Sequence, residues 1–263
     1  MAFFPSVATH FIADATSQRS AIGNHKAVPP TSGVRNHRQA QIRSVIEQRG
    51  LLYPLDVLLV GATGSGKSST LNAIFGDQVS KVGDGVDPET QSISEHMVHD
   101  YLRVHDSAGL GDGVETDAKH AESITKSLLA RCAKPYGSYG LMDLALVILD
   151  GGSRDLGTAF CLLETIVLKA ITPDRVIVAI NQADMAMKGR KWNHARSCPE
   201  SELVDFLAEK SSSVQRRIKD STGLHIKQPI CYSARYNWNL DLLVDHIVDH
   251  IPNSRRILAT GSV

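Results

Sequence analysis

Residues 61–68 read Gly61-Ala62-Thr63-Gly64-Ser65-Gly66-Lys67-Ser68, a complete G-x-x-x-x-G-K-[ST] pattern. It lies between an apolar run, Leu55–Val60, and a stretch with helical character at 67–76. No other feature constrains the fold as tightly. The loop works only where a buried strand delivers it and a helix takes it over. Gly61, Gly64 and Gly66 let the backbone curl until successive N–H groups point inward at phosphate oxygens. Ala62, Thr63, Ser65 and Ser69 complete the cradle, and the helix adds its positive N-terminal end. Lys67 would reach the terminal phosphates, and the Ser68 hydroxyl would ligate Mg²⁺.

The remaining pattern alternates strand and helix. Strands are expected at Leu55–Val60, Ile93–His99, Tyr101–Asp106, Leu144–Leu149, Arg175–Ile180 and Pro229–Tyr232, with helices at 67–76, 118–131, 158–171, 200–219 and 240–251. Continuous Val/Ile/Leu runs between amphipathic helices imply a mostly parallel sheet covered on both faces. The tight pair 93–99/101–106 adds one antiparallel edge strand. At 263 residues and 42% apolar content, the chain can bury a full core without disulfide or metal staples. Its four cysteines are widely spaced, which fits buried free thiols in a reducing compartment. Net charge is zero, so nothing drives the whole chain toward nucleic acid or anionic membrane. No run is long enough for a membrane span, and the first residues lack a signal-peptide pattern, so the expected location is cytoplasmic. Residues 1–50 read as an N-terminal extension (a tail to 34, then a helix at 35–49), 51–253 as the nucleotide-binding domain, and 254–263 as a C-terminal tail.

Three further motifs stand at strand ends. Asp106-Ser107-Ala108-Gly109 closes the third strand, about 40 residues after Lys67. The Asp106 carboxylate can hold Mg²⁺ through a water, and the Gly109 N–H can meet the γ-phosphate where the backbone comes close. Asn181-Gln182-Ala183-Asp184 follows the fifth strand. A carboxylate at Asp184 can accept from guanine N1–H and N2–H₂, whereas adenine would leave it unpaired. Ser233-Ala234-Arg235 follows the sixth strand, with the Ala234 N–H directed at guanine O6.

In this order and at these strand ends, the motifs resemble the translation-factor class of GTPases, the group that includes Era, TrmE, septins and the Toc/GIMAP-like GTPases. The resemblance covers about residues 52–252. Residues 61–76 are most similar to the septin/GIMAP side. Asp87-Pro88-Glu89-Thr90 and Asn181–Asp184 are similar to Era-like GTPases of enterobacterial prophages and genomic islands, the group to which the chain is closest on this reading. The resemblance implies a Ras-like G domain that binds GTP with Mg²⁺ and hydrolyses it slowly to GDP. It also implies a Mg²⁺- and γ-phosphate-binding threonine, best matched by Thr90, with Ser92 and Ser94 as alternatives. Lys67, Thr90 and Gly109 would then serve the chemistry, and Ser68, Thr90 and Asp106 the metal. Segments 84–94 and 107–117 would switch with the γ-phosphate.

Three positions depart from the family pattern. Gln182 replaces the usual lysine, Leu110 replaces the glutamine that orients water in Ras-like members, and Gly64 replaces the asparagine that holds K⁺ in TrmE-like members. Turnover is therefore expected near the unstimulated range of ~10⁻⁴–10⁻³ s⁻¹.

Other residues carry two readings each. Arg154, in the loop Asp150–Asp155, can act as a finger across a homodimer or pair with a neighbouring Asp. Residues 185–197 hold Lys188, Arg190, Lys191, Trp192, His194 and Arg196 without an acidic residue, an RNA- or ribosome-contacting loop or a solvated insertion. His246 and His250 have zinc-compatible spacing or mark a polar helix face. His96, His99 and His105 read as exposed residues of the edge hairpin. A rival to the hydrolytic switch is a GTP-dependent dimerisation module with negligible turnover.

Overall fold

The computed structural model describes residues 38–75, 93–107, 114–153 and 156–258; Thr90, Ser92, Gly109, Leu110 and Arg154 lie outside them, as does most of each switch segment. The apolar runs become β1 (Leu55–Gly61), β4 (Leu144–Asp150) and β5 (Val176–Asn181), whose residues are buried almost throughout. Such burial on both sides follows when parallel strands are sandwiched between helical layers. β2 (Ile93–His99) and β3 (Leu102–Ser107) form the antiparallel edge pair. β6 (Trp192–Asn193) and β7 (Cys198–Pro199) make a small separate hairpin, and β8 (Ile230–Cys231) closes the main sheet. The six-stranded order is β2-β3-β1-β4-β5-β8, with every pairing parallel except β2–β3.

Helices cover both faces. One side chain set of the central strands (Leu58, Val60, Val147) meets α3 (Val114–Leu128), α4 (Gly157–Leu162) and α5 (Ser201–Thr222) through Ile124, Leu128, Phe160, Val214 and Ile218. α4 continues through a π-helical turn, Leu163–Val167, into Leu168–Ala170. The alternate set (Val57, Leu59, Ile148) meets α1 (Gln39–Arg49), α2 (Lys67–Phe75) and α6 (Leu240–Asp249). α1 is part of this packing: Ile42 and Ile46 are fully buried, and the Arg38 guanidinium pairs with Asp245 at 2.6 Å.

The edge hairpin is not the exposed surface that its histidines suggested. His96 and His105 are buried, and His99 is half-buried; β3 lies inside the sheet between β2 and β1, and α2 and α3 both contact it. His105 Nε2 lies 2.8 Å from the Asp56 carboxylate, and His96 stacks edge-on against Phe75. His246 on α6 and His250, the residue that follows its last turn, are both buried with ring centroids 4.6 Å apart, so neither belongs to a polar outer face. No group of three metal-ligating side chains occurs among the described residues. The cysteines are not uniformly buried either: Cys161 is exposed on α4, and the other three are partly covered.

At the base of the sheet, Arg255 enters from the segment after α6. It donates to Asp143 Oδ2 at 2.9 Å and to the carbonyls of Leu52, Pro54 and Leu141. Asp143 also accepts from the Asp56 N–H, and burial pushes its carboxyl upward while Arg255 opposes the shift. Arg255→Ala would leave that carboxylate and three carbonyls without their guanidinium. We expect a loss of about 3–5 kcal/mol, read as a fall in the urea midpoint. A change within about 0.5 kcal/mol would contradict this role.

Candidate functional site

The phosphate loop leaves β1 where β1 runs between β3 and β4. Its glycines answer to specific constraints. At Gly61 a Cβ would meet the Ile148 carbonyl oxygen at 2.5 Å. Gly66 has φ +87°, and a Cβ there would overlap the Asn181 side-chain nitrogen. Lys67 is buried and arches over the loop, donating from Nζ to the Gly61 and Ala62 carbonyls at 3.1 and 3.2 Å. An ammonium held over the loop at the N-terminal end of a helix is placed for phosphate oxygens.

Ser68, at the start of α2, donates to Asp106 Oδ2 at 2.9 Å. The two residues assigned to Mg²⁺ thus meet, although 38 positions apart. Burial lifts the Asp106 carboxyl above its usual range, against the Ser68 hydrogen bond and the nearby Lys67 charge. Its other oxygen, Oδ1, is buried and has no hydrogen-bond partner among the described residues. An orphaned buried carboxylate oxygen beside a serine hydroxyl fits a hard divalent cation such as Mg²⁺.

The base-reading motifs close the other side. Asp184 is buried just beyond β5, and its Oδ1 accepts from the wholly buried Ser233 hydroxyl at 2.6 Å. Asn181 acts as a brace: its Nδ2 donates to the Ser65 carbonyl at 3.1 Å, and its Oδ1 accepts from the Ala234 N–H at 3.0 Å. The Ala234 N–H, expected to meet guanine O6, is therefore engaged within the protein, because the Asn181 amide oxygen reaches it first. Gln182 sits at φ +58° and donates from Nε2 to the Gly64 carbonyl at 2.6 Å, so it grips the phosphate loop. Between these pieces lies a cavity of about 240 Å³, lined by Gly64, Gly66, Ser69, Asn181, Gln182, Asp184, Met185, Ala234 and Arg235.

Some residues of the site were not legible in the sequence. Met185 is 46% exposed and lines the cavity. Lys210 of α5 donates to the Gly151 and Ser153 carbonyls and fixes the loop after β4, whose Gly151 N–H bonds the Asn181 carbonyl at 2.7 Å. The basic stretch 185–197 loses the aromatic that an RNA contact would use. Trp192 is buried against Tyr236 and Trp238, and Lys191 pairs with Glu202 at 2.9 Å. No helix among the described residues is long and apolar enough to cross a membrane.

Comparison with known proteins agrees with this geometry. The chain is similar to translocase of chloroplast 108 of Physcomitrium patens, 31% identical over 192 residues, covering 70% of this chain and 18% of that protein. It is similar to the tRNA modification GTPase MnmE of Neisseria meningitidis, 37% identical over 98 residues, covering 36% of this chain and 20% of the relative. The chain thus spans about a fifth of the length of these relatives. Among solved structures, Toc33 from Arabidopsis thaliana, in complex with GDP and Mg²⁺, superposes with a TM-score of 0.56 at 15% identity, covering 86% of this chain and 95% of that one. This likeness shows a shared G-domain fold. The AIG1 family model matches residues 55–218, from the strand before the phosphate loop to the end of the fifth helix's apolar face, and the chain belongs to the AIG1 family.

Proposed function

We propose that this chain binds GTP with Mg²⁺, hydrolyses it slowly to GDP, and acts as a nucleotide-dependent switch. One observation carries the reading: Lys67, the Ser68–Asp106 pair and the Ser233–Asp184 pair are held by different strand ends around the phosphate loop and its adjoining cavity. Toc33 was solved with GDP and Mg²⁺, and MnmE is by name a GTPase, which supports the same ligand here. Lys67 and the loop amides would hold the phosphates, and Asp184 would select guanine. Ser68 and Asp106, with Thr90 as the proposed third residue, would hold Mg²⁺, which when bound neutralises charge between the phosphates. The Gly109 N–H would receive the γ-phosphate. Kinship with the prophage Era-like GTPases and a cytoplasmic location are part of the same proposal.

A second reading, a dimerisation module with little turnover, is favoured by Leu110, an apolar residue where a water-orienting side chain would help. GTP turnover per molecule, followed as protein concentration rises with Lys67→Ala as the blank, separates the two. Turnover above the blank supports the switch. Activity equal to the blank at every concentration removes hydrolysis and leaves the module.

A further inference from the structure

Beneath the cavity, and outside its lining, three groups stand in line. Tyr232 and Thr70 are both completely buried. The Tyr232 hydroxyl lies 2.7 Å from Thr70 Oγ1, and Thr70 Oγ1 donates to the Gly66 carbonyl at 2.8 Å. The Thr70 proton is committed to that carbonyl, so Tyr232 is the donor in the first bond. Burial raises the Tyr232 phenol well above its ordinary range, which keeps the proton in place.

The two ends of this line belong to different parts of the site. Gly66 is the last loop residue before Lys67, in the left-handed region. Its carbonyl also accepts from the Thr70 N–H at 2.8 Å. Tyr232 is built into the base-reading side. Its N–H bonds the Ile180 carbonyl, and its carbonyl accepts from the Ala183 N–H. The next two residues hold Asp184 and Asn181. A phenylalanine would fill the same space without a buried hydroxyl to satisfy, so core packing alone does not call for tyrosine.

We propose that Tyr232 is a positioning residue for nucleotide binding: through Thr70 it fixes the Gly66 carbonyl and sets the phosphate loop in register with the base-reading loop. This rests on the GTP-binding reading above. Asn181 Nδ2 also lies 3.5 Å from the Gly66 carbonyl, and Gln182 holds Gly64 from the exposed side; the Tyr232 line reaches the same Gly66 carbonyl from the opposite end of the motif, through α2.

The test is the dissociation rate and affinity of a fluorescent GDP with Mg²⁺ for the full chain and four variants, beside the melting temperature of each nucleotide-free protein. Tyr232→Phe and Thr70→Val should each weaken binding about tenfold, mainly through faster release. The double variant should be no worse than the weaker single, because both break one line. Thr70→Ser keeps the hydroxyl and should bind like wild type. The inference is overturned if wild type binds and both single variants bind equally well, if their effects multiply, or if Thr70→Ser loses as much as Thr70→Val. It is equally overturned if the losses follow only the fraction unfolded in the nucleotide-free melts. Wild type that binds no guanine nucleotide would sink the GTP reading itself and this inference with it.

Discussion

Asp184→Asn should lower GTP affinity by about 100-fold or more and raise affinity for xanthosine triphosphate. The carboxylate is buried at the cavity, with one oxygen already accepting from Ser233. As an acceptor-only group it suits the two donors on the guanine edge. An amide turns one of those acceptors into a donor that faces a donor, and at a buried position the mismatch leaves polar groups unpaired. Xanthine carries an oxygen where guanine carries its amino group, so the same amide would find an acceptor there. Competition of both nucleotides against a fluorescent probe measures the switch. An unchanged preference for GTP would show that Asp184 does not read the base.

The second large effect is expected at Gly66. An alanine there must leave φ +87° or hold a side chain in a region that L residues rarely adopt, and its methyl overlaps the Asn181 amide. Moving Asn181 breaks its bonds to Ser65 and Ala234 together. Gly66→Ala should therefore lose nucleotide binding by at least about 100-fold, while the nucleotide-free fold loses only about 1–3 kcal/mol. Gly64→Ala provides the contrast. Gly64 also has positive φ (+78°), but nothing lies within 4 Å of its Cβ, so the strain is confined to the backbone and should cost about 1 kcal/mol. Equal loss of binding in both variants would mean that backbone strain alone, and not the Asn181 joint, decides the outcome.

The sheet was legible because its centre is buried on both faces, which writes each strand as an unbroken apolar run such as Leu144–Leu149. The phosphate loop was legible because its glycines, lysine and serine fall within eight consecutive residues between a strand and a helix. The braces were not. Asn181 reads locally as part of a base-reading motif, and its bond to a carbonyl 116 positions upstream depends on strand order. His105 reads as part of an edge hairpin, which implies exposure, but its strand β3 lies between β2 and β1, and Asp56 of β1 meets its ring. Trp192 sits among basic residues, and it is buried by Leu203 and Leu207 of α5 and by Tyr236 and Trp238 from a later loop. Arg255 looked like the start of a tail because its partner Asp143 is 112 positions away in sequence, though adjacent in space. In each case the missing information was tertiary pairing.

The most direct test of the central claim is calorimetric titration of the nucleotide-free protein with GTP and with ATP, each with and without Mg²⁺. The account predicts GTP binding that tightens with Mg²⁺, ATP binding weaker by about 1,000-fold or more, and loss of GTP binding in Lys67→Ala. ATP bound as tightly as GTP, or Lys67→Ala binding like wild type, would contradict it.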